Sequence, residues 1–334
     1  MRAALLDAPR TIALRDAGEL VPGVDEVIVR VDVVGICGTD LSIYAGKIPV
    51  TYPRVIGHEI VGLLEEPGAS GIARGARVIV DPSIACGTCP QCREGRTNIC
   101  TRGALLGRDR DGGLRERLAV PATNVYEVPA DIDPSVAPLI QVLTTCVHAE
   151  RRMPIFLGER VVVLGLGVTG LLHTQLAKRR GAGIVAGVTR SQAKLELAGE
   201  LGADLLVRAD GSEVDEVRAA LQGGADVVIE CVGTVAGLAR AVEIVRHGGR
   251  ILHYGTITET AGELPFYDLY HKELSIVAAR AARPKDFPDS IGLVASADVA
   301  LAPLVSGRFP LDRADEAIRA GGATGALKVL VDLD

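Results

Sequence analysis

The sequence predicts an α/β protein of two domains, a β-rich one and a doubly wound parallel sheet, and three observations predict it. The chain has 334 residues, beyond the roughly 250 to 300 that one hydrophobic core organises. Up to about residue 130 it consists of short apolar runs broken by Gly, Pro and Asp, the pattern of strands and loops. Beyond that point strand-like runs alternate with helix-length segments, a βαβ rhythm that builds a parallel sheet.

Hydrophobic residues make up 48% and charged residues 23%, which supplies a sizeable core and excludes a largely disordered chain. With no Trp, four Phe and six Tyr, that core is aliphatic. The formal charge of −6, without a Lys/Arg cluster, argues against a nucleic-acid partner. MRAALLDAPR lacks the long apolar stretch of an export signal, and the longest apolar run, Val161 to Leu172, is too short to span a bilayer. A cytoplasmic protein with no membrane partner is expected. Seven Cys, four of them between residues 86 and 100, read in a reducing compartment as metal ligands rather than disulfides.

In VDEVIVRVDVV, residues Val27, Val29, Val31 and Val33 share one face of a strand, and Arg30 and Asp32 the other. The strand delivers Cys37 in CGTD, and His58 and Glu59 follow in GHE. A thiol and an imidazole suit a tetrahedral zinc centre, although both types are also common as inert core residues. CGTCPQCREGRTNIC then places Cys86, Cys89, Cys92 and Cys100 at offsets of three, three and eight. Three thiolates converge from a tight turn and the fourth closes the tetrahedron. Four protein ligands leave no position for substrate, so this ion is expected to hold a lobe together.

After Asp131, DIDPSVAPLIQVLTTCVHAERR opens with Asp133 as an N-cap and Pro134 at the first helical position. RVVVLGLGVTGLLHTQLAKRRGAG reads as a buried strand, a glycine loop and a helix ending near Gly181. Further strands are expected at Ile184 to Val188, Leu205 to Val207, Ala225 to Val232 and Arg250 to Tyr254. Helices are expected near Ser191 to Leu201, Val214 to Leu221 and Thr234 to Arg246. The tail adds a helix around Ala314 to Ala320 and a last strand around Leu327 to Val331 that rejoins the first domain.

GLGVTG, with Gly165, Gly167 and Gly170, follows VVVL and precedes a helix, the context a dinucleotide fingerprint requires. The first two glycines permit a tight turn and close approach of a pyrophosphate, and Gly170 lets helix and strand pack. The helix N-terminus, with Val168 and Thr169, faces the anion. The next strand ends in VTRS, so Thr189 stands where an acid would hold a ribose 2′-hydroxyl. Arg190 is placed to pair with a 2′-phosphate, with Ser191 supplying a hydroxyl. NADP is therefore expected over NAD; the bland alternative makes Arg190 a solvated turn residue.

CGTD with GHE, the four-cysteine lobe, and GLGVTG followed by a βα array occur in an order and separation that resembles the zinc-dependent medium-chain alcohol/polyol dehydrogenases, the sorbitol, threonine and glucose dehydrogenase-like family. The resemblance covers nearly the whole chain, and ADVVIECVG, GGRILHYGT and KELSIVA are phrases of the same kind. It implies a GroES-like catalytic domain over residues 1–135 and 285–334, with a structural zinc lobe at 84–102, and a Rossmann domain over residues 136–284. It also implies a cleft between them that holds a catalytic zinc, hence two zinc ions per chain.

By that resemblance Cys37 and His58 take the first two ligand positions and Glu59 the acidic one, as ligand or beside the metal. Thr39 matches the hydroxyl that hydrogen-bonds the substrate alcohol, and Asp40 belongs to the framework. Polyol-type relatives carry a carboxylate where Gln141 falls, and an amide oxygen is a poorer zinc ligand, so the third ligand stays open between Glu59, Gln141 and water. Cys146 and His148 are read as structural. Ser42 stands where many relatives have a His that passes the proton to bulk water; a serine extends the relay without titrating near neutrality. Ala76 and Gly71 are departures remote from the chemistry.

The implied activity is hydride transfer between an alcohol and NADP or NAD, with carbonyl reduction in reverse. Tyr44, Gln141 and Glu59, read as polar groups near the metal, favour a polyol, sugar or amino alcohol. Two alternatives stand beside it, a zinc-independent NADP-dependent enone or quinone reductase and a catalytically silent nucleotide-binding protein. A homodimer or homotetramer is expected through the sheet edge near Leu274 to Ala278.

Overall fold

The computed structural model describes residues 1–333. They form two compact units, one made of Met1–Thr144, Ala281–Ala297 and the chain from Leu301 onward, the other of Thr145–Arg280 and Asp298–Ala300.

The first unit is built around the eleven-residue strand Glu26–Ile36. Glu59–Glu66 pairs along one edge of it; on the other edge Arg117–Pro121 pairs with its first half and Lys328–Asp332 with its second. Flanked on both sides, the strand buries Val27, Val29, Val31 and Val34 almost completely, and its neighbours add Ile60, Leu64 and Val331 to an aliphatic core. The register matters for chemistry. Gly35 lies opposite Glu59 and Ile36 opposite Val329, so Cys37, Glu59 and Lys328 converge at one end of three adjacent strands. The seven-stranded sheet continues outward to Arg77–Val80 and Val125–Glu127 on one side and to Val305–Pro310 on the other.

Within this mostly stranded unit Gly38–Tyr44 forms a short helix; Asp40, at its third position, reaches back so that its Oδ2 accepts from the Cys37 N–H at 2.9 Å, which is the acidic half of a capping box. One local expectation needs correction. The helix expected from Asp133 begins later, at Leu139, and runs to Arg152. Asp133 instead accepts from the Ser135 N–H at 2.8 Å, and the N–H groups of Leu139, Ile140 and Gln141 bond to carbonyls three residues back around Pro138, which has no N–H to contribute to a ladder.

The second unit is a six-stranded, all-parallel sheet in the order Leu205–Arg208, Ile184–Thr189, Arg160–Leu164, Ala225–Glu230, Val245–His253, Ser275–Ala278. Helices Val168–Arg179, Gln192–Glu200, Glu213–Ala220 and Val235–Ile244 join consecutive strands. From Arg160–Leu164 the chain winds to one side and from Ala225–Glu230 to the other, so the order reverses between them, where doubly wound sheets bind ligands. The α/β class, with a β-rich unit and a doubly wound parallel sheet, is the one expected. Among the described residues no helix is long and apolar enough to cross a membrane.

One buried acid in the first unit sets a pH dependence. Burial, with a further push from the Asp286 carboxylate and against a bond from the Ser83 N–H at 2.9 Å, raises the pKa of Asp81 to about 7. The folded protein thus holds a proton that the unfolded chain loses near 4, and stability falls as pH rises from about 4 to about 7, then levels off. Asp81→Asn keeps the acceptor and removes the titration. Its unfolding free energy should exceed that of the parent by up to ~4 kcal/mol at pH 8 and converge with it toward pH 4. Parallel pH profiles in urea melts would contradict this.

Candidate functional site

Cys37 ends the central strand and caps the helix after it, while His58 and Glu59 lie at the start of the neighbouring strand. A Cys37 sulfur, a His58 ring nitrogen and a Glu59 oxygen come within 4.8 Å of one another. Asp40, fully buried, supports the group: its Oδ1 accepts from the Gly57 N–H at 3.0 Å and faces His58 Nδ1 at 3.2 Å. Burial works against its charge, but His58 and the Cys37 and Gly57 N–H groups outweigh this and hold its pKa below the usual carboxylate range. With Nδ1 committed to Asp40, Nε2 is the nitrogen left for a metal.

Glu59 is split between two duties. Its Oε1 accepts from Lys328 Nζ at 2.6 Å, and the same ammonium donates to the Ile36 carbonyl at 3.0 Å. Lys328 is 4% exposed; burial disfavours its charge, yet Glu59 and then Cys37 outweigh it and raise its pKa. Glu59 Oε2 is buried with no hydrogen-bond partner. A Cβ on Gly35 would run into that oxygen, so glycine opposite Glu59 is what lets it lie there. A buried carboxylate oxygen without a donor is costly unless a cation meets it, and thiolate, imidazole and carboxylate are the donor set that zinc prefers.

The other residues expected near this cluster divide. Thr39 is half-buried and its hydroxyl has no partner among the described residues. Ser42 Oγ donates back to the Gly38 carbonyl at 2.9 Å. Gln141 is buried in the first turn of the helix Leu139–Arg152. Tyr44 does not serve as a polar group beside the metal: its hydroxyl donates to Asp315 Oδ1 at 2.5 Å, tying its helix to Ala314–Gly321. With Glu59 Oε1 also taken by Lys328, part of the polar set from which a polyol was expected is spent on structure.

Cys86, Cys89, Cys92 and Cys100 bring four sulfurs within 4.8 Å of one another, with Cys89 3.5 Å from Cys92 and 3.8 Å from Cys100. The N–H groups of Thr88 and Cys89 lower the Cys86 thiol to about 5, and those of Cys92 and Thr101 lower Cys89 to about 7. Desolvation and the Cys89 and Cys100 sulfurs push Cys92 up to about 12. Only a cation lets all four ionise together.

In the second unit the loop Gly165–Gly167 leads into the helix Val168–Arg179, placing Val168, Thr169 and Gly170 in its first turn. Gly165 adopts φ +88°, and a Cβ on Gly170 would collide with the Gly165 carbonyl, so strand and helix approach at backbone distance. Beside the loop is a pocket of about 410 Å³ whose wall includes Gly165, Gly167, Thr189, Arg190, Lys194 and Arg240. Ser191 occupies the N-cap position of the helix Gln192–Glu200 without a side-chain bond to it. Arg240 Nε pairs with the buried Glu213 at 2.8 Å, and burial depresses the Lys194 pKa. Three cations and one carboxylate line this pocket. Lys194 stands only four residues after Arg190 in the chain, a local signal that went unread; Arg240 and Glu213 carry no such signal, and neither does Lys328, which meets Glu59 across 269 residues of sequence.

Comparison with known proteins identifies the family. Residues 23–130 match the alcohol dehydrogenase GroES-like domain and residues 168–296 the zinc-binding dehydrogenase domain. The L-galactonate-5-dehydrogenase of Escherichia coli (strain K12) is 35% identical over 320 residues, covering 93% of this chain and 92% of that protein. The chain belongs to the zinc-type medium-chain alcohol dehydrogenase family. Similar to this dehydrogenase, too, is the sorbitol dehydrogenase of Halalkalibacterium halodurans, 30% identical with 96% and 95% of the two chains covered. A crystal structure described as a zinc-binding dehydrogenase of Sinorhizobium meliloti 1021 bound to NADP superposes with a TM-score of 0.92 at 35% identity, covering 99% of each chain. The dehydrogenase binds zinc and acts on CH–OH donors with NAD(P). The readings as a zinc-independent reductase or a silent nucleotide binder are not the ones supported.

Proposed function

We propose that this dehydrogenase oxidises a hydroxyl of a polyol, sugar or amino alcohol, with NADP as the preferred cofactor and two zinc ions per chain. The observation that carries the reading is the Cys37, His58 and Glu59 cluster with its unpartnered Glu59 Oε2. Cys37, His58 and Glu59 would hold the catalytic ion, with Gln141 as a further candidate, and Cys86, Cys89, Cys92 and Cys100 the structural one. When bound, zinc supplies the Lewis acidity that lowers the pKa of a substrate hydroxyl, and NADP supplies the hydride acceptor.

The chain's own residues do the rest. Asp40 fixes the His58 ring, and Lys328 holds Glu59 so that one oxygen stays turned to the ligand cluster. Thr39, with an uncommitted hydroxyl two residues from Cys37, accepts the hydrogen bond of the substrate hydroxyl and starts the proton outward. Ser42 lies one turn further along; its O–H donates to the Gly38 carbonyl, which leaves its lone pairs to accept from water. The substrate class rests on relatives named for galactonate, sorbitol and threonine rather than on Tyr44. The test is NADP reduction against polyols, aldonates, amino alcohols and simple alcohols. Turnover of a polyhydroxylated substrate is expected; if no alcohol is oxidised and no carbonyl reduced, the proposal fails.

For the cofactor, Thr189 offers no carboxylate to a 2′-hydroxyl, whereas Arg190 and Lys194 offer charge to a 2′-phosphate. The loop glycines, Val168, Thr169 and Ser191 complete the proposed nucleotide contacts. Arg190→Ala should raise the dissociation constant for NADP by roughly ten- to a hundredfold and leave that for NAD almost unchanged. Equal losses for both would refute the phosphate role.

A homodimer or homotetramer is proposed through the strand Ser275–Ala278, which ends the parallel sheet. Its Ile276 is 40% exposed, and Phe266, Tyr267 and Tyr270 just before it are at least 70% exposed, a density of apolar surface that monomers rarely leave bare. Light scattering of Tyr270→Glu should report a smaller assembly than the parent; an unchanged mass counts against this interface.

A further inference from the structure

Glu230 ends the strand Ala225–Glu230, beside the point where the sheet order reverses, and is completely buried. Its Oε1 accepts from the N–H groups of both Val232 and Gly233 at 2.8 Å. Its main-chain carbonyl accepts from Tyr254 N at 3.1 Å and Gly255 N at 2.8 Å. One residue therefore anchors two loops, 231–234 and 254–257, at the carboxyl ends of adjacent strands. The loops meet backbone to backbone, since a Cβ on Gly255 would collide with Gly233 and one on Gly233 would come within 3.1 Å of Thr256. The first loop also abuts the glycine loop: Cys231 N donates to the Leu164 carbonyl at 2.8 Å, and a Cβ on Gly165 would lie 3.1 Å from Val232 N. Val232 and Thr234 line the nucleotide pocket.

The rest of the Glu230 side chain has no comparable bond. Its Oε2 faces His253 Nδ1 at 3.6 Å, and neither atom has a hydrogen-bond partner. What the carboxylate contributes is thus concentrated in the two N–H bonds that close the turn at 231–233. Dinucleotides lie outside the carboxyl ends of the strands at such a reversal, beyond the adenosine-side pocket of Arg190, Lys194 and Arg240. We propose that Glu230 is a positioning residue that presets loops 231–234 and 254–257 against the glycine loop, so that the pyrophosphate and nicotinamide half of the cofactor meets backbone already in place. This rests on the reading of the second unit as a dinucleotide site.

Two ligands separate the halves. In Glu230→Ala, NADPH binding followed by fluorescence should weaken roughly tenfold or more, as expected for two lost hydrogen bonds. Adenosine 2′,5′-bisphosphate, which reaches only the adenosine side, should bind as to the parent. Glu230→Gln, whose amide oxygen can accept the same two N–H groups, should restore NADPH binding. Gly255→Ala, which wedges the loops apart with Glu230 intact, should reproduce the selective loss and covers the case in which Glu230→Ala does not fold. Equal loss of both ligands, no loss of either, or a Gln variant as impaired as Ala would overturn the proposal. Failure of the parent itself to bind NADPH would instead overturn the dinucleotide reading beneath it.

Discussion

In Cys37→Ala, alcohol oxidation falls by roughly a thousandfold or more while zinc content drops by one ion per chain and NADPH affinity stays close to that of the parent. The substitution leaves His58 and Glu59 as a two-ligand site, and Lewis-acid stabilisation worth several kcal/mol disappears at about 1.4 kcal/mol per decade of rate. The local fold survives, because the bond to Asp40 comes from the Cys37 main-chain N–H rather than its thiol. NADPH binding reads the second unit and has no reason to change. Steady-state kinetics with metal analysis on the same sample check this; retention of more than about a tenth of the activity would remove Cys37 from the ligand set.

Lys328→Met should be the most damaging single change to stability near the site, by about 3 to 5 kcal/mol. Lys328 and Glu59 are 4% and 1% exposed, and their 2.6 Å contact neutralises two charges that water cannot reach. Removing the ammonium strands the Glu59 carboxylate and also leaves the Ile36 carbonyl without its donor. Removing both charges should cost less than removing one, so Glu59→Gln combined with Lys328→Met should be more stable than Lys328→Met alone. Urea melts of the three proteins decide it, and a double variant less stable than the Lys328 single variant would show that the pair is not coupled in this way.

The two charged residues also mark where sequence reading stopped. The convergence of Cys37, His58 and Glu59 was legible because they sit in short motifs, and that of the four cysteines because they are close in sequence. The βα rhythm and the glycine loop were legible through periodicity, which a parallel sheet imposes on every strand. Lys328 was not, since only the pairing of Lys328–Asp332 with Glu26–Ile36 brings it to Glu59, and strand pairing across the whole chain leaves no local trace. Glu230 sat in view within ADVVIECVG, but its role depends on which N–H groups its carboxylate meets. Tyr44 was misplaced for a related reason: closeness in sequence to Cys37 suggested a place near the ligand cluster, whereas its hydroxyl partner Asp315 lies in the tail. The late start of the helix at Leu139 has a local cause, turns closed by i, i+3 hydrogen bonds around Pro138 competing with the cap that Asp133 and Pro134 suggest.

Catalysis is proposed to depend on an ion held by Cys37, His58 and Glu59, distinct from the one in the cysteine lobe. The direct measurement is a chelator titration of the intact protein, following zinc per chain and alcohol-oxidation rate together. Two zinc ions should be present at the start, activity should vanish with loss of the first while the fold persists, and added zinc should restore it. Full activity with only the cysteine-lobe ion remaining would contradict the account.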